Sequence, residues 1–416
     1  MAEAGIMNLS LKIAGDDYDD FYPYELSLEE GFSKVYRAEL TVFTKNRREQ
    51  KDMRKLLERK ASLVVSQRLT GGQITRHRYV HGIITGTTSL GIVSRGEDGN
   101  KGAACFRHVI TIESELSHLR HTSLNCPYYR KTPPDIIEEI FSRYGIRAEF
   151  PDKYINRSNF SKNVMFEQTD ISDIDFIHRI MDMYGLSWTF AHGKVSQSGL
   201  GTAELFFSEG SRFPPPWYDY SDKRKIPEIE RFDFMNYDER QNVWKMDRFS
   251  MESGIGVDGL EVTAPYPQEN HGSREWRWGS IGPGKRYHSY KSLFHGYERG
   301  TPPEGIDADM QRMLEARRIA HTIAKENLDG AAENIALMPG LIFELKHFLG
   351  PSSDAALTAL VTDSRLHVRA MWPRDLAAPP AGEEPGELAR VEFSAKDWGM
   401  DSENRFCRIE RHGGSR

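Results

Sequence analysis

Two stretches of this chain repeat one short pattern: DIIEEIFSRYGIRAEF from Asp135 to Phe150 and DFIHRIMDMYGLSWTF from Asp175 to Phe190. Asp135/Asp175, Ile137/Ile177, Ile140/Ile180, Tyr144/Tyr184, Gly145/Gly185 and Phe150/Phe190 fall in register. Apolar residues at helical spacing, followed by alternation, specify a short amphipathic helix and then a half-buried strand, twice over. Thr132 and Ser172 stand where a side chain can accept a bond from the first free helix amides. A carboxylate follows three positions on, and Pro133 and Pro134 suit a first turn. Gly145 and Gly185 supply left-handed stops. Beyond them, Ile146, Ala148 and Phe150 alternate with polar residues in one copy, and Leu186, Trp188 and Phe190 in the other. Such faces must be buried against a sheet, so the repeat is read as scaffold.

The length, 416 residues, allows two to four domains with their own cores. Charged residues make up 28%, yet 38% hydrophobic and 11% aromatic content predicts a folded chain. A net charge of -6 gives no electrostatic reason to bind nucleic acid or an anionic membrane. The basic clusters Lys45 to Arg48 and Lys223 to Lys225 are short and read as solvated loop charge. No apolar run approaches the roughly 18 residues of a membrane span, and MAEAGIMNLSLKIAG lacks the pattern of a signal peptide. A cytoplasmic starting point is expected. Cys105, Cys126 and Cys407 are widely spaced and outside any CxxC, so they are expected to be reduced, without disulfide or zinc.

The fold class expected is α+β and mainly β. Residues 1–120 read as a first antiparallel β-barrel, with strands near Leu9 to Ile13, Leu40 to Phe43, Leu63 to Val65, Tyr79 to Ile84 and Val109 to Ile112, and a short helix at Asp52 to Arg59. Residues 89–105 form a polar, glycine-rich hairpin tip. Residues 121–225 hold the two helix-strand copies and end in a proline-rich joint from Phe213. A second barrel is expected from 226–266 plus 335–400, using Ile229 to Tyr237, Trp244 to Phe249, Leu260 to Thr263, Gly340 to Phe348, Ala359 to Leu366 and Arg390 to Phe393. Residues 267–334 insert loops and the longest helix, Asp307 to Leu328. Its apolar side carries Met310, Met313, Leu314, Ala320, Ile323 and Ala324, and Asp329-Gly330 reads as its stop. Pro379 to Glu387 reads as a flexible loop, and 401–416 as a C-terminal tail.

Motifs for chemistry fail on context. Gly254-Ile-Gly256-Val-Asp-Gly259 matches a dinucleotide fingerprint in letters, but LEVTAPYP follows where a helix is needed. Gly279 to Gly284 with Lys285 resembles a P-loop, yet Arg286 stands where the Mg²⁺-binding hydroxyl belongs. Both are expected to be loops. His77 and His81 lie about 13 Å apart along a strand, too far to share an ion. His118, His121 and Cys126 lack any HExxH context. No GxSxG occurs, and the acidic pairs Glu138/Glu139 and Asp238/Glu239 do not by themselves make a cleft. No catalytic, cofactor-binding or metal-binding residue is assigned, and no cofactor is expected.

The order of landmarks resembles the hub portion of the VgrG spike proteins of type VI secretion and the hub of contractile phage tails. The matching pieces are YELSLEEGFSKVYRAELTV from Tyr24, YVHGIITG from Tyr79, ESELSHLRHTSLNCPYYRKTPPDIIEEIFSRYGI from Glu113 and FEQTDISDIDFIHRIMDMYGLSWTF from Phe166. ARRIAHTIAKENLDG and LMPGLIFELKHF follow late in the chain. The series covers nearly all of residues 9–395, and the block from Phe166 to Phe190 is its most specific part.

This resemblance implies a non-enzymatic structural hub. Two related barrels per chain and three chains would make a ring under a hexameric tube, with a trimeric spike below. The implied partners are further copies in a homotrimer, the tube protein, a spike or needle protein, baseplate components, and an effector or adaptor. The assembly would form in the cytoplasm and be delivered outside as part of an injection apparatus or virion tail. VgrG chains usually continue into an OB-fold and a β-helix needle, whereas this sequence stops at RFCRIERHGGSR. Either it is trimmed or its needle is a separate polypeptide. The hairpin from Gly91 to Gly102 looks longer than the family pattern. The competing readings are a β-rich carbohydrate-active hydrolase, recognised by two acids facing in a groove, and a receptor-binding tail module, recognised by an exposed aromatic platform.

Overall fold

The computed structural model describes residues 6–15, 20–45, 48–68, 75–93, 105–151, 154–160, 164–196, 199–209, 218–220, 229–233, 243–265, 273–291, 296–297, 303–323, 325–347, 356–370, 372, 376 and 388–397. The tip of the long hairpin, most of the joint after Phe213, the loop from Pro379, Cys407 and the tail 401–416 lie outside the described residues.

The first β region comprises β1 (Ile6–Ile13), β2 (Tyr22–Gly31), β3 (Arg37–Thr44), α1 (Gln50–Arg54), β4 (Lys60–Arg68), β5 (Thr75–Val93) and β6 (Cys105–Glu113). Strict alternation places Leu26 and Leu28 of β2, Ala38 and Leu40 of β3, and Leu63 and Val65 of β4 in one apolar core. The helix is shorter than expected: after Arg54 the chain continues in turns to Glu58, which takes a positive φ of 65°.

The two-copy segment follows. It contains β7 (Cys126–Tyr128), α2 (Pro133–Arg143), β8 (Ala148–Glu149), β9 (Val164–Gln168), α3 (Asp173–Tyr184), β10 (Ser187–His192), β11 (Ala203–Ser208) and β12 (Tyr218–Tyr220). Both N-caps form as expected. Thr132 and Asp135 make a reciprocal capping box, and the Ser172 hydroxyl accepts the Asp175 amide at 3.2 Å. Gly145 and Gly185 each take φ 67°, and in both copies the next amide reaches back five residues, Ile146 to the Phe141 carbonyl and Leu186 to that of Met181. Ile136, Ile137, Ile140, Ile177 and Ile180 bury their side chains together with Trp188 and Phe207 from the sheet β10-β11-β8. Within the proline-rich joint, β12 pairs antiparallel with β5.

The remainder holds β13 (Ile229–Asp233), β14 (Val243–Lys245), β15 (Arg248–Ser253), β16 (Gly259–Pro265), β17 (Ser273–Gly279), β18 (Tyr287–Lys291), β19 (Gly296–Tyr297), α4 (Pro303–Ile323), β20 (Glu326–Ala332), β21 (Ile342–Lys346), β22 (Ala356–Arg369) and β23 (Leu388–Asp397). One strand expectation and one helix boundary are corrected here. Leu260 to Thr263 belongs to a separate sheet, β17-β16-β18, whose Leu260, Val262 and Trp276 pack in one cluster with Met310 and Met313 of α4. The long helix ends at Ile323 rather than Leu328, and Asp329-Gly330 lies inside β20, not at a helix stop. A Cβ at Gly330 would collide with the Phe393 ring, so glycine is needed there for close packing rather than for a turn.

The class is mainly β, α+β, and both expected β regions are present as sheet. Among the described residues no pairing closes either β region on itself; both are arms of one fourteen-stranded sheet, joined where β2 pairs with β22. The strand order is β1-β4-β5-β6-β3-β2 in one arm and β13-β21-β22-β23-β20-β15 in the other. The two orders match strand for strand, although β1 and β4 are antiparallel and β13 and β21 parallel. The match extends to irregularities. The ladder shifts register by one residue at Thr85 in β5 and at Thr362 in β22. The Ile84 amide donates to the Arg59 carbonyl at 3.0 Å, and the Val361 amide donates to that of Leu341 at 2.9 Å. Glu58 and Gly340, both at positive φ, donate their amides to the carbonyls of Ile84 and Val361.

Candidate assembly surfaces and the buried junction

Any function of this architecture is carried by the seam between the arms, by the junction beneath it and by the surfaces left open. At the seam, Leu26 faces Val368 and Leu28 faces Leu366, all four fully buried. The alternate face is charged. Glu25 accepts from His367 at 3.1 Å and from Arg369 at 3.4 Å, Glu29 pairs with Arg365, and Lys34 with Asp363 at 2.8 Å. Exposed ion pairs of this kind contribute about 0–1 kcal/mol each, whereas each buried aliphatic side chain contributes roughly 1.5–3 kcal/mol. The apolar row therefore holds the seam, and the charged row keeps its outer face wetted.

Beneath the seam the first arm inserts two buried arginines into the second. Arg78 donates to the Ile335 carbonyl at 2.9 Å and pairs with the Glu30 carboxylate. Arg76 bonds Asn334 and lies over the Trp244 ring at 4.2 Å. The Gln67 amide adds a bond to the Glu333 carbonyl at 2.8 Å. Buried charges are tolerated because each finds a partner.

The helix-strand segment docks on the same node through His81 and His192. His81 Nε2 donates to the Gly193 carbonyl at 2.6 Å, which leaves Nδ1 to accept from the Ser62 hydroxyl at 2.9 Å. Ser62 Oγ in turn accepts the Gly201 amide at 2.9 Å. His192 Nδ1 accepts the His81 amide at 3.1 Å, so its proton sits on Nε2, 3.9 Å from Glu30 and without a hydrogen-bond partner among the described residues. A hollow of about 20 Å³ adjoins this pair, room for one water. Burial holds both histidines below their usual range, His192 strongly, with His81 and Arg78 adding to the effect at His192. The node is thus built around neutral imidazoles. His77 and His81, too far apart on their strand to share an ion, have separate partners. His77 bonds Ser66 at 2.8 Å, and His81 proves to be the hinge pin of the docking.

A cleft of about 510 Å³ opens between the first arm and the helix-strand segment, with Tyr36 and Phe190 among its walls and Glu115, Glu149 and Glu204 at its rim. Glu115 pairs with Lys60 at 3.3 Å, while Glu149 and Glu204 lie exposed. The remaining motifs are placed as follows. Gly254 to Gly259 connects β15 to β16, and Gly279 to Gly284 leaves β17, with Arg286 held by Asp258 at 3.0 Å. Arg286 keeps the Asp258 carboxyl down at about 2. His118 lies in the 3-10 turn Glu115–Arg120, His121 caps that turn and Cys126 opens β7, and among the described residues no group of three ligating side chains could hold a metal ion. No described helix is long and apolar enough to cross a membrane.

Residues 29–225 match the phage tail baseplate hub (GPD) family. A type VI secretion system spike protein, VgrG4b of Pseudomonas aeruginosa, is 25% identical over 173 residues, 42% of this chain. That segment spans 19% of the relative's length. An E. coli type VI secretion component, described as similar to the T4 bacteriophage tail proteins gp27 and gp5, superposes with a TM-score of 0.57 at 14% identity, over 97% of this chain and 80% of its own. A tail protein from Neisseria meningitidis gives 0.56 at 11% identity, over 95% and 98%. A chain of a Francisella PdpA-VgrG complex gives 0.51 at 10% identity, over 98% and 60%. The chain therefore shares the fold of type VI secretion VgrG and phage tail hub proteins and carries the phage tail baseplate hub match in residues 29–225.

Proposed function

We propose that this chain is the structural, non-enzymatic hub of a contractile injection machine, joining a hexameric tube to a trimeric spike within the baseplate. The observation that carries the reading is the doubled arm. Two copies of one strand order, with matching bulges and turns, lie side by side across a paired seam, so a ring of three chains presents six like arms to a sixfold tube. The working division is 1–120 and 226–266 plus 335–400 for the two tube-like units, with 121–225 between them and 267–334 inserted. The pairing of β20 with β23, and of β16 with β17, supports counting β20 with the second unit and β16 with the insertion. The charged outer row of the seam suits a wetted ring surface, and the cleft, the insertion and the sheet β17-β16-β18 are left for spike, baseplate, effector or adaptor contacts. The assembly forms inside the producing cell and is delivered with the apparatus.

The test is reconstitution with the tube and spike proteins of the same source. Co-sedimentation of this chain with tube rings supports the hub. Failure to bind either partner, together with glycan cleavage that maps to the cleft between Glu115 and Glu204, supports a hydrolase instead.

A further inference from the structure

The strand that forms the seam has a second copy elsewhere in the chain. Leu26-Ser-Leu-Glu-Glu-Gly-Phe32 in and after β2 corresponds, residue for residue through the strand order, to Phe249-Ser-Met-Glu-Ser-Gly-Ile255 in and after β15. Ser27/Ser250, Glu29/Glu252 and Gly31/Gly254 are identical. Their surroundings differ. Leu28 and Phe32 are fully buried, whereas Met251 is 51% and Ile255 84% exposed. β2 has a strand on each edge, β3 and β22; β15 has β20 on one edge and, among the described residues, nothing on the other. The receiving half is duplicated too. Past the bulge at Thr362, β22 accepts β2, and the Phe32 amide bonds the Thr362 carbonyl at 3.0 Å. Past the equivalent bulge at Thr85, the same edge of β5 carries no strand among the described residues, and Leu90 and Ile92 are 55% and 64% exposed. The Gln50 side chain, itself exposed, holds the Thr87 carbonyl there at 3.1 Å.

We propose that β15 of one copy of this chain adds to the free edge of β5 in the next copy, in the register that β2 and β22 use internally. Gly254 then lies opposite Gly86, Ser253 opposite Thr87, Glu252 opposite Thr88 and Met251 opposite Ser89. The Ile255 amide takes the Thr85 carbonyl, displacing the Gln50 contact as the strand enters. The occupant is a second copy because donor and acceptor repeat the two halves of a pairing the chain already makes within itself. A head-to-tail contact of this kind propagates until it closes. The inference deepens the hub reading by naming the strands that join its copies, and it rests on that reading for ring closure.

The experiment is disulfide trapping in the full chain, alone at the highest attainable concentration and again with tube and spike proteins present. Ser253→Cys combined with Thr87→Cys should give a ladder of covalent oligomers under mild oxidation, and each variant alone should not. A parallel double variant, Met251→Lys with Ile255→Lys, changes side chains already in water, so it should leave the melting temperature unmoved and abolish the oligomers seen by sizing. Rings that form without trapping, or that survive the lysine pair, overturn the register and leave the hub reading standing. Trapped oligomers that ignore tube and spike uphold the strand pairing and overturn the hub. Absence of both trapping and rings under both conditions overturns the proposal.

Discussion

The two arms of the sheet have one strand order and opposite environments. In the first, LSLEEGF is sealed by β22; in the second, FSMESGI has β20 on one edge of β15 and, among the described residues, no strand on the other. The local design is the same, an alternation that ends in a glycine and a large apolar residue. What decides whether Phe32 is buried and Ile255 exposed is the presence of a covering strand, not the segment itself. A second contrast concerns charge. The first arm sends Arg76 and Arg78 into the second, where Asn334 and the Ile335 carbonyl receive them, while Glu30 of the first arm's own β2 pairs with Arg78. The arms are thus fastened by an apolar seam and by a buried polar node that also seats His192 from the helix-strand segment.

The largest expected effect comes from breaking the node. Arg78→Met leaves the Glu30 carboxylate buried without its partner, and denaturant unfolding should show a loss of about 3–5 kcal/mol. The paired substitution Leu28→Ala and Met251→Ala tests the contrast between the arms most plainly. Leu28→Ala should lose roughly 2–5 kcal/mol, while Met251→Ala in the monomer should stay within about 0.5 kcal/mol. Equal losses would mean that β15 is covered in solution.

Acidification addresses the histidines. Both are held neutral by burial, His192 most strongly. Their contribution is therefore complete above the unfolded value near 6.5 and falls as pH drops below it, by about 1.4 kcal/mol per pH unit for each histidine until the lowered folded value is reached. His192→Gln should flatten that slope in urea titrations at pH 5 to 7; an unchanged slope would place the acid sensitivity elsewhere. The smallest effect distinguishes the equivalent turns. Glu58→Gly relieves a left-handed non-glycine residue and should gain up to about 1 kcal/mol, whereas Gly340→Ala should lose a similar amount, both read from thermal melts.

Much of the helix-strand segment was legible in the sequence, because its signals are local. Thr132 and Ser172 cap, Gly145 and Gly185 stop, and the isoleucines at helical spacing face one core. The second arm was legible as strands but not in its pairing. The alternation at Leu260 to Thr263 specifies a strand without saying which sheet receives it. Asp329-Gly330 after a helical pattern looks like a stop, and only the Phe393 ring explains the glycine. The seam joins Leu28 to Leu366 across most of the chain, and no local rule encodes such a pairing. Its one sequence trace was the likeness of LSLEEGF to FSMESGI, which is faint until the strand order aligns the two. The junction was missed for the same reason: Arg78 and His81 look like surface residues of a polar strand until Glu30, Ile335 and His192 converge on them.

The central claim is that a doubled arm matches a sixfold partner. Native mass measurement of this chain bound to its cognate tube protein tests it most directly. The account predicts three copies of the chain for each hexameric tube ring. Six copies per ring, or a complex with one copy on one tube subunit, would contradict it.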